Sequence, residues 1–164
     1  MGTITRGFAN NVTTHGNYVA FSAKLGSDQT NISASTSTVL VFDTEDFDSN
    51  GAYDTSNGRF TVPSGEGGKY CLNAYYRTNS SGTMVRCNIS LRKNGSDTLA
   101  QYNNNQRSSG EASSGITWCG TLAAGDYVDV RIYHDSSSGA VSAQAGSSAA
   151  GNKTAFSGHK ILGV

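Results

Sequence analysis

Apolar and polar positions alternate along most of this chain, with turn signals roughly every 8–15 residues. Tyr18–Leu25 reads as a first strand with Phe21 buried. Gly26–Thr38 is a polar loop with room for a short edge strand. Val39–Asp43 is apolar nearly throughout, and Gly58–Val62 is a short extended piece after the Asn57-Gly58 turn. Lys69–Arg77 sends Tyr70, Leu72, Ala74 and Tyr76 to one face and Cys71, Asn73 and Tyr75 to the other. Met84–Lys93 directs Val85, Cys87, Ile89 and Leu91 inward and turns at Asn94-Gly95. Thr98–Tyr102 is a short strand. Gly115–Leu122 buries Ile116, Trp118 and Leu122, Tyr127–His134 buries Val128, Val130 and Ile132, and Ala155–Val164 ends the chain. Helical spacing nowhere persists for three turns, so any helix is short. Strands of ~5–8 residues at this spacing form a sandwich or barrel.

Two segments fall outside the pattern. Asn103–Ser114 and Asp135–Asn152 are rich in Asn, Ser, Ala and Gly and offer little to bury, so both read as exposed rim loops. They are either plain solvated loops or the contact surface of a binding head. Residues 1–17 read as a polar arm with Phe8 its only large aromatic side chain, leaving 18–164 as the domain.

Composition agrees with many short strands. The 164 residues suffice for one domain with a sizeable core. Only 36% are hydrophobic, Gly, Ser, Thr and Asn are abundant, and proline occurs once, which suits turns between strands. Net charge is zero and charged residues are 15%, so no broad basic face for nucleic acid is implied. No apolar run reaches the ~18–20 residues that span a bilayer, so no membrane partner is expected. The first residues lack the basic head and apolar stretch of a secretory signal, and Arg6 breaks the myristoylation pattern after Met1-Gly2. The Asn-x-Ser/Thr triplets at Asn11, Asn31, Asn79, Asn88, Asn94 and Asn152 then reflect composition, and the chain reads as made in a prokaryotic cytoplasm. Cys71, Cys87 and Cys119 form no CxxC pair and cannot all be bridged within one chain. Free thiols are the expectation.

Catalytic signatures are sparse. The chain has no G-x-S-x-G elbow, no phosphate-binding glycine loop and no paired histidines at metal spacing. His15, His134 and His159 sit in separate segments and read as surface or strand-end residues. Trp118 shares parity with Ile116 and Leu122, which favours the core over a sugar-stacking platform. Asp43, Glu45, Asp46 and Asp48, with Asn50 beyond, are the one dense set of hard oxygen ligands. They are weak candidates for calcium, against the plainer reading of a solvated acidic turn.

Several of these residues fall in an order that resembles the C1q-like family over roughly residues 20–164. Phe21-Ser22-Ala23 is similar to the opening strand motif. Phe42-Asp43, Asn50-Gly51, Tyr53-Asp54, Gly58, Phe60-Thr61 and Pro63 follow the longest family signature in order. Gly68-Lys69-Tyr70 with Leu72, the hairpin Ser90-Leu91-Arg92-Lys93-Asn94-Gly95, the late Leu122-Ala123-Ala124-Gly125-Asp126 with Val128, and Ala155-Phe156-Ser157-Gly158 continue it. The final strand departs from the family in carrying His159-Lys160 where apolar residues are usual. No collagen-type Gly-x-y repeat is present, so complement or hormone activity is not transferred.

The resemblance implies an all-β, C1q/TNF-like jelly-roll sandwich of about ten antiparallel strands, assembled as a trimer. In that topology the strands with Cys71 and Cys119 are neighbours in the sheet facing the threefold axis. Alternation then turns Cys71, Asn73, Tyr75, Thr117, Cys119 and Thr121 toward the other protomers. Residues 2–14 resemble segments of tail-fibre and other virion proteins of marine bacteriophages. The expectation is a non-enzymatic homotrimer on the virion surface, as tail fibre or knob touching host surface glycans or as capsid decoration, joined to other virion proteins through residues 1–17. The rival is a secreted or surface bacterial carbohydrate-binding module, calcium-assisted through the Asp43–Asn50 turn. A hydrolase on a jelly roll ranks last, because no nucleophile–base pair can be named.

Overall fold

The computed structural model describes residues 18–80, 82–104, 108–109, 111–146 and 154–161. Among these residues fifteen strands run in the order β1 (Ala20–Lys24), β2 (Gln29–Ser33), β3 (Thr38–Val39), β4 (Thr44–Asp48), β5 (Tyr53–Asp54), β6 (Arg59–Thr61), β7 (Gly68–Asn79), β8 (Thr83–Met84), β9 (Cys87–Lys93), β10 (Asp97–Asn104), β11 (Ser108–Ser109), β12 (Ala112–Leu122), β13 (Tyr127–His134), β14 (Ala140–Ala143) and β15 (Ala155–Lys160). Four are two-residue bridges, and the other eleven are close to the expected ten. Among the described residues there is no helix, and so none long and apolar enough to cross a membrane.

A seven-stranded sheet takes the order β2-β14-β7-β15-β1-β4, with β12 on the other edge of β7. A six-stranded sheet takes the order β10-β9-β13-β6-β5, with β3 on β13. A small pair, β11-β8, stands apart. The pairings are antiparallel, so each sheet has one face for the core and one for solvent or a partner. Between the sheets Phe21 stacks on Phe60 at 4.7 Å and on Tyr53 at 5.3 Å, with Phe156 edge-on at 4.9 Å. Tyr70, Leu91, Leu122, Val128 and Phe156 are buried, as their parity requires. Each such side chain contributes roughly 1.5–3 kcal/mol by leaving water.

Three local expectations are corrected. Val39–Asp43 is not a continuous strand: Leu40 and Phe42 are buried, but the Gln29 amide donates to Val39 O at 2.8 Å and accepts from Val41 N at 2.9 Å. A side chain there takes the place of a neighbouring strand. Val85 points out rather than in, because Asp135 Oδ1 accepts from the backbone N–H of both Val85 and Arg86 and interrupts the strand. Met84 fills the core instead. The two rim segments are partly strand as well: Ala112 and Ser114 are buried in β12, and Val141 and Ala143 in β14. Their side chains are too small and their runs too short for alternation to reveal them. Residues 105–107, 110 and 147–153 lie outside the described residues.

Two turns hold the hairpin end together. Asn94 and Gly95 both have positive φ (51° and 79°) in the three-residue link between Lys93 and its partner Asp97, where Ser96 N donates to Lys93 O at 3.2 Å. The Asn94 amide reaches the next turn, donating to Asp126 Oδ1 at 2.8 Å and accepting from Tyr127 N at 3.0 Å. Asp126 Oδ2 accepts from Ala123 N at 2.9 Å, and Gly125 sits at φ 86° between them.

Candidate functional site

The outward face of the seven-stranded sheet is the most distinctive surface. Register places Phe47, Ser22, Ser157, Asn73 and Thr117 in one row across β4, β1, β15, β7 and β12. Thr117 Oγ1 donates to Asn73 Oδ1 at 2.8 Å along that row. The row on one side runs Lys24, Ala155, Tyr75 and Gly115, and on the other Ala20, His159, Cys71 and Cys119. Short side chains dominate, so the face is flat. Asn73, Tyr75, Gly115, Thr117, Ala155 and Ser157 border a depression of about 280 Å³. At the far edge Phe47 (55% exposed) and Tyr18 (51%) offer apolar surface that nothing among the described residues covers.

The six sequence-derived contact residues therefore share one face. Asn73, Thr117, Cys119 and Thr121 are exposed, and Cys71 and Tyr75 half-buried. The last strand keeps its place through His159 and Lys160: it pairs with β1 and β7 on either side, and Lys160 Nζ reaches Glu66 Oε2 at 2.8 Å. The polar residues at its end are accommodated because His159 points out of the sandwich.

The thiol expectation is overturned. Cys71 and Cys119 are disulfide-bonded, with Cα atoms 4.2 Å apart. The cause is register: the β7–β12 ladder sets the two cysteines directly opposite each other on one face, which spacing along the chain does not reveal. Cys87 alone is free. It is buried, and burial pushes its thiol up to about 11, so it is inert as a nucleophile.

The acidic run is likewise not a turn with convergent ligands. Thr44–Asp48 is strand β4, and a bulge opposite Ser22/Ala23 turns its carboxylates different ways. Asp43 Oδ1 accepts from Gly26 N at 2.6 Å. Asp46 pairs with Lys24, and Asp48 accepts from the N–H groups of Asn50 and Tyr53. Glu45 is exposed, and Asn50 Oδ1 accepts from Ser49 Oγ. Among the described residues no three His, Cys, Asp or Glu side chains converge as metal ligands.

His15 lies outside the described residues. His159 is exposed on β15. His134 ends β13 fully buried, donating from Nε2 to Ile32 O at 2.9 Å and accepting at Nδ1 from Ser136 N at 3.2 Å. Both ring nitrogens are thus committed to backbone. Trp118 packs against the core edge and its ring lies over Gly120 on the same face of β12, where a Cβ would meet it at 2.3 Å. Sequence parity found that face but not the glycine beneath it.

A family model described as the C1q domain matches residues 20–161. The chain belongs to the C1q domain family. Solved structures of the same sandwich include the globular domain of zebrafish complement 1qA protein (18% identity, TM-score 0.59, 88% of this chain and 98% of that one). Murine APRIL at pH 5.0 is similar too (13%, 0.60, 88% and 100%), as is Eiger TNF from S. frugiperda (14%, 0.58, 90% and 94%). At these identities the likeness to solved structures is one of fold. No curated protein matches the chain. The family match covers the residues that supply both sheets of the sandwich, so its C1q fold is the frame for every site above.

Proposed function

We propose that this C1q-domain chain forms a non-enzymatic homotrimeric head, its protomers meeting through the outward face of the seven-stranded sheet. One observation carries the reading: a row of Ser22, Ser157, Asn73 and Thr117 leads to a Phe47 that the other described residues leave exposed. Small polar side chains let sheets approach closely, and Phe47, Tyr18 and Tyr75 supply flat apolar contact. Cys71, Asn73, Tyr75, Thr117, Cys119 and Thr121 are the interface residues in this account. Closure around a threefold axis buries one such face per protomer.

The finer reading sets the trimer on a bacteriophage particle, as a fibre knob or capsid decoration. Its support is the likeness of residues 2–14 to virion segments. Binding of the purified chain to tail or capsid particles, lost on deletion of residues 1–17, is the expected result; equal binding without them contradicts it. The rival role is a secreted or surface bacterial carbohydrate-binding module, for which the outward row Thr98, Arg92, Asp129, Arg59 and Asp54 of the six-stranded sheet supplies a polar face. It is not carried as calcium-assisted, because Asp43, Asp46 and Asp48 are each engaged by separate partners.

A further inference from the structure

The outward face of the six-stranded sheet gathers charge in an uneven way. Asp129 points out of the sandwich on β13, yet it is fully buried. An outward carboxylate reaches that state only under its neighbours, and its cross-strand neighbours are both arginines: Arg92 on β9 and Arg59 on β6. Arg131, two residues along, takes both Asp129 oxygens, from Nε at 2.8 Å and from a terminal nitrogen at 3.2 Å. The row continues to Asp54, opposite Arg59, whose carboxylate is held in its own turn by Ser56 and Asn57. Three arginines thus face two aspartates. The excess falls at the Arg92 end, where the next residue in the row is Thr98 on β10, not an acid. Arg92 Nε is buried with no hydrogen-bond partner among the described residues, while the side chain as a whole is half-buried.

We propose that this end of the face binds acidic polysaccharide, one carboxylate or sulfate of the chain docking on Arg92 and Arg131. Arg131 spends only part of its five-donor fork on Asp129 and keeps 22% of its side chain exposed, so donors remain for a ligand. Thr98 and Gln101, exposed beside them on the edge strand, meet sugar hydroxyls. Nucleic acid fits less well. The aromatic rings on this face, Tyr127 and Tyr133, are covered by Arg59 at 4.3 Å and Arg86 at 4.6 Å, so they are poor platforms for bases. A protein partner lacks an apolar anchor here: Tyr18, Phe47, Val85 and Tyr102 are the exposed large apolar side chains among the described residues, and none lies in these rows. The site belongs to one protomer and rests on the sandwich alone, neither on the trimer nor on the virion reading.

The test is binding of the full chain to labelled polygalacturonate, dextran sulfate, neutral dextran and polythymidylate across a salt series. At least one acidic polysaccharide binds and weakens with salt, neutral dextran does not bind, and whichever acidic polymer binds names the anion. Arg92→Gln weakens binding by about tenfold or more in protein whose circular dichroism still shows the folded sandwich. Arg92→Lys keeps the charge but loses the fork, and recovers part of it. Lys69→Gln, on the other sheet, has no effect. The proposal is overturned if neither acidic polysaccharide binds, if polythymidylate binds tighter than both, or if Lys69→Gln costs as much as Arg92→Gln.

Discussion

Cys71 faces Cys119 directly across the β7–β12 ladder, and the bond between them lies on the outward face rather than in the core. It closes a sequence separation of 48 residues, which restricts the unfolded chain far more than it adds packing. The expected consequence is that Cys71→Ser with Cys119→Ser lowers unfolding free energy by about 2–4 kcal/mol in urea titration. Alkylation of the unreduced, denatured chain labels one thiol, Cys87. Three labelled thiols in oxidised protein would refute the pairing.

Two glycines with positive φ differ in cost. Gly125 (φ 86°) has open space where a Cβ would stand, so Gly125→Ala costs only the backbone strain, roughly 1–2 kcal/mol, and Gly125→Asn less. Gly58 (φ 72°) would place a Cβ 2.6 Å from the carbonyl oxygen of Leu40. Gly58→Ala therefore costs more, roughly 2–5 kcal/mol. Equal melting temperatures for the two alanine variants would contradict the geometry.

Acid sensitivity follows from Asp126. Hydrogen bonds from the Asn94 amide and then from Ala123 N hold its carboxyl below its ordinary value of 3.8. A carboxylate lowered in the folded state stabilises above its unfolded pKa, and that stability is lost as pH falls through the folded one. Asp126→Asn is expected to be less stable at pH 7 yet to lose less between pH 5 and 2, as read by urea unfolding at each pH. Because Asp126 is near the surface, the difference is small. Parallel pH curves for the two proteins would remove Asp126 as a source.

The sandwich was legible where strands are long and their side chains large. Tyr70 through Tyr76 and Val128 through Ile132 alternate without interruption, and the Asn94-Gly95 turn announces its own φ angles. What escaped were events decided across the fold. Gln29 stands in for a strand beside Val39, Asp135 turns Val85 outward, and the β7–β12 register alone brings Cys71 to Cys119. The acidic run misled because its residue types suit calcium while β4 separates their directions. That the six residues proposed for the interface share one face was readable by parity. The arginine row was not, since Arg59, Arg92 and Arg131 lie far apart in the chain and meet only through pairing with β13.

The trimer is the claim on which the functional account depends, and solution mass tests it most directly. Native mass spectrometry or sedimentation equilibrium of the intact chain is predicted to give three times the 17.1 kDa of one protomer. Asn73→Arg with Thr117→Arg, both on the outward face, is predicted to return folded material of single-chain mass. A wild-type protein that stays at 17.1 kDa at high concentration would contradict the account.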